Sequence, residues 1–351
     1  MLQWRHLAWA LLNRVGRREE ASRQAEVLCR SGQATQQELL SLVRRTMSFP
    51  FKELQGDEPA NVFQAGLGMA RWYFSRQHYR QALDELSSQY ATRFETPAAC
   101  ALYGRLLAET QNFEQIPGWH TQCDDQVRRF GDYWAALGVY FYDQGLLEAS
   151  ARALLEAVYR NPTDRICFQR LSTVFGGLNR LEQAEQFNFR AIQIRRTETA
   201  TDKLLESPGN RQIQRDLVED LMLLDRPFET LQWTLVMAGT SATSMRVAIE
   251  RQRAELNRTR KALTMASESS LIGVSLTEFD LQPAMEILRA SSDRLVASNH
   301  INVDVLARPK LVDVASDVGI EFQWYRNVEF VSSLIPIDES VGGGIAVLDY
   351  D

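Results

Sequence analysis

The sequence predicts a mainly α-helical chain in which helix pairs stack in succession over most of its length, ending in a short β segment. Three observations carry this reading. Residue types in the stretch Gly131 to Asp164, GDYWAALGVYFYDQGLLEASARALLEAVYRNPTD, recur elsewhere at a spacing of about 34 residues. Apolar side chains keep the helical period of about 3.6 from the first residues to roughly position 240. From Leu311 onward the period drops to about two, that of a strand.

The central stretch fixes the register. Trp134, Leu137, Gly138 and Phe141 fall on one face of a first helix, and Ser150, Leu154 and Ala157 on the facing side of a second. Pro162 ends the pair. Gly138 and Ser150 are small where two helix axes must approach, while Trp134, Phe141 and Leu154 fill the space around that contact. This pattern resembles a tetratricopeptide repeat, which implies an α-solenoid scaffold rather than a site of chemistry.

In chain order, Trp4, Leu7, Leu11 and Leu12, then Ala21, Ala25 and Leu28 after Gly16, resemble a degenerate first repeat, with a third helix at roughly Thr35 to Thr46. A loop holding Pro50, Gly56 and Pro59 follows. Asn61 to Ala91 supplies a second pair. Its Gly66-Leu67-Gly68 lacks the third glycine of a phosphate-binding loop, since Arg71 stands there, and no strand precedes it, so the glycines are read as helix packing. Between Pro97 and Phe130, Pro117 and Gly118 fall inside the second helix, which should be short, late-starting or kinked. Arg165 to Arg195 extends the stack. After a polar break at Glu206 to Asn210 come Leu217, Leu221 and Leu224, then Leu231 and Trp233, with Pro227 suited to a first turn. Five or six helix pairs over residues 1–240, each touching its neighbours, predict a curved superhelix rather than a globule.

Residues 241–308 are read as a helix and a connector. The helix, Ser241 to about Leu263, mixes Arg251, Arg253, Arg258, Arg260 and Lys261 with Glu250 and Glu255, the pattern of a solvated outer face. In the connector, Pro283 opens a short helix to Ala290.

Composition narrows function by exclusion. With 45% hydrophobic and 24% charged residues, the chain reads as a soluble protein without membrane insertion. A net charge of −6 and a pI near 5.5 provide no bulk attraction for nucleic acid or anionic lipid. Cys29, Cys100, Cys123 and Cys167 contain no CxxC pair, which argues against a thiolate zinc site and a dense disulfide framework and for buried free thiols. The N-terminal apolar run is interrupted by Arg5 and His6, with no small-residue cleavage site after it, so no export signal is read there. His6, His78, His120 and His300 stand in no HExxH or GxSxG arrangement, and no catalytic residues are assigned.

At the C-terminal end, Ile320, Phe322 and Trp324 alternate with Glu321, Gln323 and Tyr325. Gly342, Gly343 and Gly344 then lead into Ile345-Ala-Val-Leu-Asp349-Tyr-Asp351. LVDVASDVGIEFQW followed by ESVGGGIAVLDYD is similar to the opening of the FG-GAP/VCBS-type β-propeller in proteins of the ASPIC/UnbV (cartilage acidic protein-like) family. Several bacterial members carry tetratricopeptide-like repeats upstream. The resemblance implies that residues 309–351 are the truncated start of a propeller, that the chain is a fragment, and that the longer protein is exported. In the family the stretch runs into a calcium loop; here only Asp349 and Asp351 match it, an incomplete calcium site, because calcium takes about six to eight oxygens. No cofactor is therefore expected within the chain, and calcium only in the full-length protein.

Two functions are expected from this reading. The first is a non-catalytic scaffold that holds a partner peptide or helix on the concave face, at positions between the packing residues: Arg105, Glu109, Asp132, Val139, Tyr142, Asp143, Gln169 and Thr173. Ala135 and Val139 stand where some repeats of this type place a Lys/Asn clamp for a C-terminal carboxylate, so that clamp is absent. The second is a helical support for a calcium-dependent propeller that binds extracellular or cell-surface ligands.

Overall fold

The structure is a computed structural model and describes residues 3–49, 62–90, 94, 96–238, 243–259 and 268–298, excluding the side chains of 88–90 and 293–298. These residues are mainly helical, and no strand occurs among them. The expected β segment at 309–351, with Asp349 and Asp351, lies outside the described residues.

The N-terminal segment holds α1 (Gln3–Arg14), α2 (Arg18–Arg30) and α3 (Gln36–Val43). Hairpins follow: α4 (Leu67–Ser75) with α5 (Tyr79–Tyr90), α6 (Pro97–Glu109) with α7 (Ile116–Thr121), and α8 (Gly131–Asp143) with α9 (Leu147–Arg160). Next come α10 (Arg165–Gly177) with α11 (Leu181–Glu206), and α12 (Arg211–Leu223) with α13 (Pro227–Ala238). Then come α14 (Thr243–Thr259) and α15 (Gln282–Ser298).

Local chemistry accounts for the starts and stops. Thr35 and Glu38 form a capping box on α3, satisfying two of its free amide groups. Thr96, Asp164 and Asn210 accept amide hydrogens at the starts of α6, α10 and α12. The first helix of four successive hairpins ends in a left-handed residue, at Gln77, Gln111, Gly145 and Asn179, each 34 positions after the last, with φ of 62°, 59°, 73° and 59°. A fifth, Asp225, closes α12. Pro117 has the expected effect: α7 is six residues long and starts late, after a 3-10 turn at Phe113–Gln115.

The close contacts fall where the register puts them. A Cβ on Gly138 would lie 2.6 Å from Leu154 Cγ, and Ser150 Oγ donates to the Gly138 carbonyl at 2.7 Å. Phe141, Leu154 and Ala157 are buried, but Trp134 is only half-buried, and Tyr133 is the fully enclosed aromatic of α8. In the preceding hairpin Gly104, 34 positions earlier, abuts Trp119 instead.

Contacts are not confined to neighbouring hairpins. α2 and α3 pack on α11 and α13, so Trp9, Leu28, Leu39 and Leu42 share one core with Leu204, Leu217, Leu221 and Trp233. Hydrogen bonds cross the same seam: Arg226 Nη2 donates to the Leu42 carbonyl at 2.7 Å, Gln36 Nε2 to that of Pro208 at 3.0 Å, and Gln232 Nε2 to that of Ala34 at 3.2 Å. The N-terminal segment thus bridges to the last hairpin, correcting the expectation of neighbour-only stacking. The cause is the 26-residue length of α11, whose final turns carry Ala200 and Leu204 beyond the hairpin to meet it. On α1, Trp9 and Asn13 face inward while Trp4, Leu7 and Leu11 are exposed, the reverse of the expected packing face.

The connector is also more than a link. Leu271, Val274 and Phe279 are buried in the core of α8 to α11, and Ala284 and Leu288 of α15 in the core around α7. α15 runs past the expected Ala290 to Ser298. Arg253 of α14 is buried rather than solvated, donating to Glu250 and Gln232 at 2.5 and 2.9 Å. Among the described residues no helix is long and apolar enough to cross a membrane.

Candidate functional site: a face of paired charges

The first helices of the hairpins carry buried charge, and on α4 it meets the N-terminal segment. Arg71 of α4 and Arg105 of α6 are both fully buried and stand 34 positions apart. Each reaches an acid two hairpins further on: Arg71 Nη1 lies 2.7 Å from Asp132 Oδ2, and Arg105 Nη1 donates to Asp164 Oδ2 at 3.0 Å. Asp132 sits in the first turn of α8 and Asp164 at the cap of α10, where the helix dipole favours negative charge. The Arg71–Asp132 contact is one of charge, since its angles fall outside hydrogen-bond geometry and leave Asp132 Oδ2 without a bonded donor.

Glu109 joins the network. It accepts from Arg105 Nε at 2.7 Å and takes both Nη groups of Arg170 in a forked pair at 2.9 and 2.6 Å. Burial works to raise the Glu109 carboxyl, but Arg105 and Arg170 outweigh it and hold it below the usual range. Asp164 behaves alike: burial opposes ionisation, and Arg105 with the Cys167 amide prevails. Burial also works to lower the two arginines, yet the acids beside them raise both above the ordinary value. Glu19 of α2, within 3.4 Å of Arg71, is raised by its own burial.

Arg18, whose guanidinium burial lowers to about 9, donates to the carbonyls of Ser41 and Arg44 at 3.0 and 2.9 Å and also to that of Met47. The Arg45 amide donates to Thr163 Oγ1 at 3.1 Å, and Asn161 Nδ2 to Thr46 Oγ1 at 3.0 Å. Arg44 forks onto Asp202 of α11 at 2.9 and 2.8 Å.

The eight expected groove positions separate accordingly. Arg105, Asp132 and the Glu109 side chain are consumed by internal ion pairs. Val139 is half-buried and packs on the core. Tyr142, Asp143, Gln169 and Thr173 are exposed, on the later turns of α8 and α10. Asp164 and Arg170 are not singled out from sequence and Arg71 only as the residue in the third-glycine position, although the 34-residue interval between Arg71 and Arg105 is a usable signal.

Among the described residues no group of three or more His, Cys, Asp and Glu side chains is placed to hold a metal ion. The chain matches no protein-family model, no curated protein and no solved structure.

Proposed function

We propose that the chain is a tetratricopeptide-like solenoid acting as a non-catalytic scaffold, which holds an extended peptide or helix of a partner protein against the later turns of α8 and α10. One observation carries the reading. Nine of the thirteen residues of α8 are buried, yet its last turn presents Tyr142, 47% exposed, beside exposed Asp143. An aromatic ring held on a rigid helix offers contact area at small entropic cost, and the adjacent acid adds polarity. On α10, exposed Gln169 and Thr173 add amide and hydroxyl groups. The charged ladder beneath serves as the stiff wall of this surface rather than as the contact itself.

Affinity capture tests it: Tyr142→Ala with Asp143→Lys should lower retention of a captured partner at least tenfold, whereas Arg251→Ala, on exposed α14, should leave it unchanged. Unaltered retention by the double variant would sink the assignment. A second reading, support for a calcium-dependent propeller, is favoured by ESVGGGIAVLDYD at residues 339–351. It requires instead that capture be lost when calcium is chelated.

A further inference from the structure

Cys100 lies on α6 and Cys123 just after the six-residue α7, and their sulfurs stand 3.8 Å apart. Both are free and buried. A disulfide needs about 2.05 Å between sulfurs, so closure asks for an approach of less than about 2 Å, within the reach of side-chain rotation. The two are already held in register by one residue: the Trp119 indole donates to the Cys100 carbonyl at 2.9 Å, and the Cys123 thiol donates to the Trp119 carbonyl at 3.3 Å. Cys123 is enclosed between exposed neighbours, Thr121 and Gln122 on one side and Asp124 and Asp125 on the other.

We propose that Cys100 and Cys123 form a reversible dithiol–disulfide couple oxidised by hydrogen peroxide. Cys100 sulfur attacks one peroxide oxygen; the O–O bond breaks, leaving a sulfenic acid on Cys100 and one water. Cys123 sulfur then attacks Cys100 sulfur, the S–S bond forms, the S–O bond breaks, and the second water departs with the Cys123 proton. Two thiols and one peroxide thus give one disulfide and two waters, the sulfurs losing the two electrons that the oxygens gain. Cys100 is the sulfur that attacks first because contact with Cys123 holds its thiol below the ordinary value, while the same contact and burial push Cys123 up. The product would staple α7 to α6 across the 23-residue separation of the two cysteines.

Cys29 and Cys167 serve as internal controls. Both are fully buried, and burial raises both thiols. Cys167 is further engaged by Arg105 Nη1 at 3.2 Å. Treatment of the full chain with hydrogen peroxide, then alkylation and non-reducing peptide mapping, should give a linked Cys100–Cys123 peptide. Titratable thiols should fall from four to two and return with dithiothreitol. In Cys123→Ser the link should vanish while Cys29 and Cys167 stay reduced. Four surviving thiols in the wild type, sulfinic acid on Cys123 without a link, or crosslinks that involve Cys29 or Cys167 would each overturn the proposal. The wild-type map decides even if the variant fails to fold.

Discussion

The hairpins α6–α7 and α8–α9 place a glycine at the same register position, Gly104 and Gly138, and solve the resulting close approach in different ways. In α8–α9 the second helix is 14 residues long and supplies a branched aliphatic side chain, Leu154, with Ser150 bonding the glycine carbonyl. In α6–α7 the second helix has six residues, and one ring, Trp119, fills the whole contact while its indole nitrogen satisfies a carbonyl of the first helix. The repeat therefore conserves a packing geometry within this chain, not a helix length. The short hairpin concentrates its stability in few residues, and the regular one spreads it over many.

Trp119→Ala should have the largest effect, a loss of about 3 to 5 kcal/mol, because a fully buried indole leaves a large cavity under a helix too short to collapse into it. Leu154→Ala should cost less, about 2 to 4 kcal/mol. Urea unfolding of both variants measures the difference; equal losses would break the comparison.

A pH response should separate the two hairpins as well. His120 of α7 bonds Tyr133 Oη at 3.0 Å, and burial, aided by Arg128 and Arg289, lowers its imidazole from 6.5 to about 4. Between these values the unfolded chain binds the proton and the folded chain does not, so stability falls as pH drops from about 6.5 to about 4. The expected loss is about 3 kcal/mol at most. His120→Gln should flatten that part of the stability curve; an unchanged slope would show that other groups cause it.

Adding a methyl group at each glycine gives a smaller contrast. A Cβ at position 104 meets the rigid Trp119 ring at 2.0 Å, whereas one at 138 meets Leu154 Cγ, on a smaller side chain, at 2.6 Å. Gly104→Ala should cost about 2 to 3 kcal/mol and Gly138→Ala about 1 kcal/mol, read from thermal midpoints. Ser150→Ala, which removes one buried hydrogen bond, should cost about 1 kcal/mol.

Helix pairing, the places of Gly104 and Gly138, and the shortened α7 were legible in the sequence, since each depends on residues within one hairpin: apolar spacing, a missing Cβ, a proline without an amide hydrogen. Period and polarity also made Arg105, Glu109 and Asp132 look like an open groove, because a charged residue on a helix face is solvated unless something covers it. Only the tertiary structure supplies the cover. Residues 44–48 bond to Asn161, Thr163 and Asp202, and the acids that neutralise Arg71 and Arg105 arrive from hairpins 59 to 61 positions away. In the same way, no local pattern announces that α11 is long enough to meet α3, or that Leu271, Phe279 and Leu288 are buried beyond the last hairpin. Propensity and periodicity act over one or two turns, whereas burial is decided by whichever distant surface the chain brings to the same place.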